Sequence, residues 1–326
     1  MPATPIPGPA APGRRRWWRP ALLARVVLLV ATVVAVVVLT RRLEAADLVA
    51  RLRSAEPRWV LAAALASLLP LLGNALSMGA LSPVRLRTGR TLLVWLATSF
   101  VNLITPSSTG GVALTVRYLQ RSGLALAPAA ATVAVVQGTS GVVTAVLIGV
   151  CLLAAGRRAG VRDVVPWPVL VAGAGVLLLV LVVLRCAPRA RRAVRTRLLD
   201  PVRETWPRLR AALTDPRRLA VATLGHVAVP AGFAATLGAC LLAFDTQAPW
   251  PLLLLLVVGS SAVTAAVPVP GGIGAFEASM VAGLVATGVD PAAALSATLL
   301  HRFLTFWVRV PPAWLALVHL RRRGAL

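Results

Sequence analysis

The chain has 326 residues, 58% of them hydrophobic and only 13% charged, with a mean hydropathy of +0.82. An ordinary soluble domain carries about 25% charged residues, so this composition excludes both disorder and a single water-soluble globule. The net charge of +24 arises from 34 arginines, with no lysine, against 10 acidic residues. A nucleic-acid binder would carry such charge on a folded polar module with aromatics interleaved. Here the arginines sit between apolar runs, which points to a phosphate-rich membrane surface instead.

In chain order, residues 1–20 form a Pro/Ala-rich tail, expected to be disordered, that closes on Arg14, Arg15, Arg16 and Arg19. Residues 21–40 are continuously apolar, and no A-x-A cleavage site follows before Arg41 and Arg42. An uncleaved helix is expected there rather than a signal peptide. Further apolar segments occupy about 59–80, 91–104, 128–155, 167–186, 219–243, 251–267, 275–287 and 292–318. Most approach the roughly 20 residues that cross a bilayer. Cys151, Cys186 and Cys240 lie in or at the edge of these segments without CxxC spacing, which suggests neither a disulfide framework nor a metal site.

Two segments are short. Segment 91–104 stops at Thr105-Pro106-Ser107-Ser108-Thr109-Gly110-Gly111, and segment 275–287 follows Val267-Pro268-Val269-Pro270-Gly271-Gly272-Ile273-Gly274. Proline lacks an amide donor and glycine weakens a helix, so each stretch should break a helix at membrane depth. Such backbone is tolerated only inside protein or along a wet cavity. Residues 91–122 and 251–287 therefore read as two re-entrant hairpins, with ordinary loops between short spanning helices as the alternative. The expected fold is an all-α polytopic membrane protein of about six spanning helices plus these two hairpins.

With the N-terminus inside, the cytoplasmic segments (1–20, 81–90, 117–121, 185–218 and 319–326) hold 23 arginines. The external segments (41–58, 156–167, 244–250 and 288–291) hold 8. That asymmetry predicts cytoplasmic termini and a cytoplasmic arginine-rich loop at 185–218. Under this topology the block 59–155 and the block 219–318 run in opposite senses. Aligning Gly110-Gly111 with Gly271-Gly272, and allowing one helical turn of insertion, places Gln137 opposite Arg302. Inverted repeats with interrupted helices at corresponding positions mark secondary transporters, whose sites lie where the breaks meet.

The element P-x-P-G-G-x-G-x-x-E, from Pro268 to Glu277, is followed by G-V-x-P-x-x-A, from Gly288 to Ala294, and by an intramembrane Arg302. Together they resemble the flippase-like transmembrane domain of lysylphosphatidylglycerol synthases. The stretch T-P-S-S-T-G-G-x5-R, ending at Arg117, looks like that family's first motif. The resemblance covers about residues 20–320 and implies a lipid-translocating domain spanning 21–320. The longest polar segment has about 34 residues, too few for the soluble aminoacyltransferase domain of full-length synthases. A stand-alone translocating unit is expected, not an enzyme. The sequence departs from the family pattern at Val112, where an acidic residue is common, and at Gln137, where an arginine is common.

The candidate substrate-binding residues are Arg117, Glu277, Arg302 and Arg309, with backbone breaks at Pro106, Gly110, Gly111, Pro270, Gly271, Gly272 and Gly274. Arg302 falls near the tenth residue of the last segment, close to mid-membrane, where a charge is costly and marks a functional site by default. Its planar fork suits a lipid phosphate; the alternative is an ion pair with Glu277. Glu277 also suits the positive end of the half-helix after Gly274. Arg117 and Arg309 either line a polar track or snorkel to the interface. His226 and His301 are expected to make polar contacts between helices. No nucleotide, metal or hydrolase signature appears, so neither cofactor nor metal is expected. The expected partner is a phospholipid or isoprenoid lipid of the bacterial plasma membrane, and a scaffold for an envelope-synthesis enzyme is the alternative.

Overall fold

The computed structural model describes residues 55–105, 109–155, 207, 210–266 and 272–326. The tail 1–20, the apolar stretches 21–40 and 167–186, most of the 185–218 loop, and Pro106, Pro270 and Gly271 lie outside the described residues. Among the described residues all regular structure is helical. The helices are α1 (Pro57–Ala66), α2 (Leu69–Leu81), α3 (Thr88–Ile104), α4 (Thr109–Arg121), α5 (Leu126–Ala155), α6 (Pro216–Leu242), α7 (Trp250–Ala266), α8 (Ala275–Ala286), α9 (Pro291–Thr305) and α10 (Val310–Arg322). Four stretches are long and apolar enough to cross a membrane: Pro57–Leu81, Leu126–Leu153, Pro216–Leu242 and Pro291–Arg322. The chain is thus an all-α polytopic membrane protein, with Leu61, Leu65, Val142, Val146 and Leu224 exposed on its flanks as lipid-facing residues would be.

Two of these stretches differ from the continuous helices expected at 59–80 and 292–318. The first bends between α1 and α2, where Pro70 offers no N–H to the Ala66 carbonyl and Leu71 N–H turns to the Leu68 carbonyl at 3.1 Å. The second breaks at Phe306, which leaves the helical region at φ −124° and ψ −65°, and a 3-10 turn over Trp307–Arg309 leads into α10. Pro311 and Pro312 open α10, where a helix start needs no donor from the first residues.

The packing follows the chain plan. α3 lies against α4 and α7 against α8, while α5 covers α4 and α9 covers α8. The most extensive contact is between α2 and α6, and α10 packs on α3. With lipid as the solvent, hydrophobicity cannot drive two apolar helices together, so close packing at small residues must. Gly73 and Gly225 supply it. A Cβ on Gly225 would lie 2.6 Å from the Gly73 carbonyl oxygen, and a Cβ on Gly232 would lie 2.6 Å from Pro70 Cδ. The buried Ser77 hydroxyl sits between the helices, 2.8 Å from the Gly73 carbonyl and 3.3 Å from that of Ala222. Gly225→Leu should therefore cost about 3 kcal/mol, the upper end for overpacking, because backbone cannot yield. Gly79→Ala on the same helix α2 would meet nothing within 4 Å and should be neutral or slightly stabilising. Thermal unfolding of both variants in detergent checks the contrast.

Candidate functional site

The turn before α8 sets the site. Gly272 and Gly274 have φ of +62° and +86°, the left-handed region that side chains other than glycine's resist. This brings Glu277, on the first turn of α8, back over its own helix start. One carboxylate oxygen, Oε2, accepts the Gly274 N–H at 2.6 Å. The other, Oε1, lies 2.9 Å from Arg302 Nε on α9. The carboxylate thus ties the broken backbone to the last long apolar stretch, and it sits at the positive end of α8, where a carboxylate is favoured.

Arg302 also lies against two aromatic rings. Its guanidinium carbon lies 4.9 Å from the centre of the Phe276 ring and 4.3 Å from that of Phe306. Phe306 comes four residues after Arg302, the spacing that puts two side chains on one helix face. Stacking on rings suits a weakly hydrated planar cation. The pair is nearly but not wholly enclosed, since 12% of the Arg302 and 13% of the Glu277 side chain remain accessible. Ion pairing of this kind is what makes two charges tolerable at such depth. Buried His301 packs beside it against the rings of Phe276, at 5.8 Å, and Phe233, at 6.2 Å. His226 contacts the Thr139 hydroxyl at 3.0 Å and links α6 to α5.

The first break is built from neutral groups. Gly110 N–H donates to Thr105 Oγ1 at 3.2 Å, and Gly111 N–H donates to Asn102 Oδ1 at 2.8 Å. Side chains of the preceding helix α3 therefore cap the start of α4, whose first amides have no helical partner. Next to this cap is a small cavity of about 80 Å³, lined among others by Trp95, Asn102, Gly111, Val112, Thr115 and Gln137. Among the described residues the buried indole N–H of Trp95 has no hydrogen-bond partner, a costly state away from water. The two breaks are thus chemically unlike: an ion pair at the second, amides, hydroxyls and an indole at the first.

Arg117 is exposed on α4, which packs on α3 and α5. Arg309 turns across to α1, where its guanidinium donates to the Ser67 carbonyl at the bend before α2. Gly274 and Glu277 come together with Arg302, and Gly272 forms the same turn. Pro106, Pro270 and Gly271 lie outside the described residues. The residues missed from sequence are Phe276 and Phe306 around the cation, Asn102 and Thr105 at the first cap, Trp95 in the cavity and Ser67 at the bend. Asn102 was findable as an isolated amide just before a Pro/Gly break. Among the described residues no three His, Cys, Asp or Glu side chains gather as metal ligands would.

The model of the family described as lysylphosphatidylglycerol synthase TM region matches residues 22–313 of the chain. That range includes both breaks, the Glu277–Arg302 pair and Arg309. No curated protein matches the chain.

Proposed function

The chain belongs to the lysylphosphatidylglycerol synthase TM region family, and on that premise we propose that it binds a lipid with a phosphate headgroup and carries it across the bacterial plasma membrane. The observation that supports this most is the Glu277–Arg302 pair, placed between two helices that each adjoin a backbone break and left about one-eighth accessible. A guanidinium can exchange one anionic partner for another of matching geometry. In this reading a lipid phosphate competes with the Glu277 carboxylate for Arg302. Phe276 and Phe306 keep the fork oriented during the exchange, and the indole and amides around the first cavity offer neutral donors to the rest of the headgroup.

We further read α3–α4 and α7–α8 as two re-entrant hairpins in an inverted repeat, with α1–α2 matched to α6 and α5 matched to α9–α10. The pairing of equivalent helices supports this: α3 on α4 as α7 on α8, and α4 on α5 as α8 on α9. The arginine asymmetry supports cytoplasmic termini. Such a unit needs no chemistry of its own, so the proposed role is transport rather than catalysis.

A second reading has its own support. Both oxygens of Glu277 are already engaged and Arg302 lies against two rings, as in a pair that only locks α8 to α9 in a scaffold for an envelope-lipid enzyme. Lipid retention separates the two. Mass spectrometry of lipid copurified with the parent should find at least one phosphate-bearing lipid per chain, and Arg302→Lys should retain about one fewer, because a point charge replaces the fork. Equal retention by the two proteins would favour the scaffold.

A further inference from the structure

We propose that a second site, for the phosphate of an anionic phospholipid, lies where α3 begins and α10 closes, apart from the Glu277–Arg302 pair. A cavity of about 370 Å³ opens there, and Arg87, Arg90, His319 and Arg323 line it. The four come from chain segments some 230 residues apart, brought together by the packing of α10 on α3. Among the described residues no acidic side chain lines the cavity, and Asp215 is paired with Arg218 and caps the start of α6. The three arginines around one hollow repel each other, and an anion removes that repulsion.

The backbone adds donors to the same place. Arg87 caps α3 with no side-chain hydrogen bond, and Thr91 N–H is the first to reach back, to the Arg87 carbonyl at 2.9 Å. The amides of Gly89 and Arg90, whose residues line the cavity, therefore sit at the positive end of a 17-residue helix. The carbonyls at the end of α10 do not oppose an anion openly. Those of His319, Leu320 and Arg321 are taken by the N–H groups of Arg323, Ala325 and Gly324.

The rest of the lining identifies an amphiphile rather than a free ion. Leu93, Leu320 and Ala325 complete the wall; Leu320 is 1% and Ala325 5% accessible. A cationic rim over an apolar floor at the end of a membrane helix matches a phospholipid, with phosphate at the rim and glycerol and acyl carbons against the leucines. The site does not depend on translocation and would serve equally a scaffold that holds an anionic lipid.

The test uses the full chain in detergent micelles, titrated with phosphatidylglycerol or phosphatidylcholine and read by native mass spectrometry. The parent should bind phosphatidylglycerol in preference. Arg90→Gln with Arg323→Gln should weaken one of the successive phosphatidylglycerol binding steps by about tenfold or more, since two charge-assisted contacts are lost. Arg321→Gln with Arg322→Gln removes the same amount of charge, from the end of α10 but outside the cavity, and should change that step by less than about twofold. Equal weakening by both pairs, or none by either, would overturn the site. Thermal stabilisation by inorganic phosphate alone, abolished only in the Arg90/Arg323 pair, would assign the cavity to a soluble phosphate and overturn the lipid assignment. Because these arginines are exposed, all variants should keep the parent's melting temperature without ligand. The Glu277–Arg302 reading stands or falls separately, since neither pair touches it.

Discussion

Arg302→Ala should melt far below the parent in detergent, while Arg302→Ala combined with Glu277→Ala should recover most of the loss. The reason lies in what each change leaves behind. Without the guanidinium, Glu277 keeps its bond from Gly274 N–H at 2.6 Å but loses its counter-charge in a site where only 13% of its side chain is accessible. Breaking a buried pair from one side costs about 3–5 kcal/mol, whereas removing both partners is often nearly neutral. Here the double variant also forfeits two ring contacts and the tie to Gly274, so recovery should be substantial but incomplete. Differential scanning calorimetry of the parent, both single variants and the double variant measures the coupling directly.

Gly272→Leu should abolish function while the protein still inserts. Gly272 holds φ at +62°, and a Cβ there would collide with Thr264 Cγ2 on α7. Left-handed backbone costs a non-glycine residue about 1–2 kcal/mol, and the collision adds displacement of a helix that packs on α8. The turn then cannot keep Gly274 over Glu277, so the charged pair loses its alignment. Two variants separate the causes. Gly272→Ala should be less severe, and adding Thr264→Ala should relieve the collision while the dihedral strain persists. Partial rescue in both stability and lipid translocation is the expected outcome. Full activity of Gly272→Leu would mean that the Pro/Gly stretch is only a loop.

How much of this was legible in the sequence follows from the local physics. Proline and glycine act through the chain itself, so the breaks near Gly110-Gly111 and Gly272–Gly274 could be read from residue type alone. Glu277 and Arg302 could be paired because a membrane interior gives two isolated charges little choice. The α1–α2 bend was less visible, since Pro70 lies within an otherwise continuous apolar run and Arg309, its partner across the fold, is 242 residues from Ser67. The helix contact at Gly73 and Gly225 could not be picked from 25 glycines. A soluble helix announces its buried face by periodicity, but a helix in lipid is apolar all round and hides it. The same applies to Phe276 and Phe306, which look like lipid-facing residues until the fold sets Arg302 against them.

The central claim is that Arg302 serves a lipid phosphate and not merely Glu277. The measurement that tests it most directly is translocation of a fluorescent anionic phospholipid by proteoliposomes holding the Arg302→Ala, Glu277→Ala double variant, beside the parent at matched protein density. The double variant should fold, with melting restored well above that of Arg302→Ala, and move lipid no faster than protein-free vesicles. A double variant that is folded and translocates as fast as the parent would contradict it, and would leave the pair as a lock between α8 and α9.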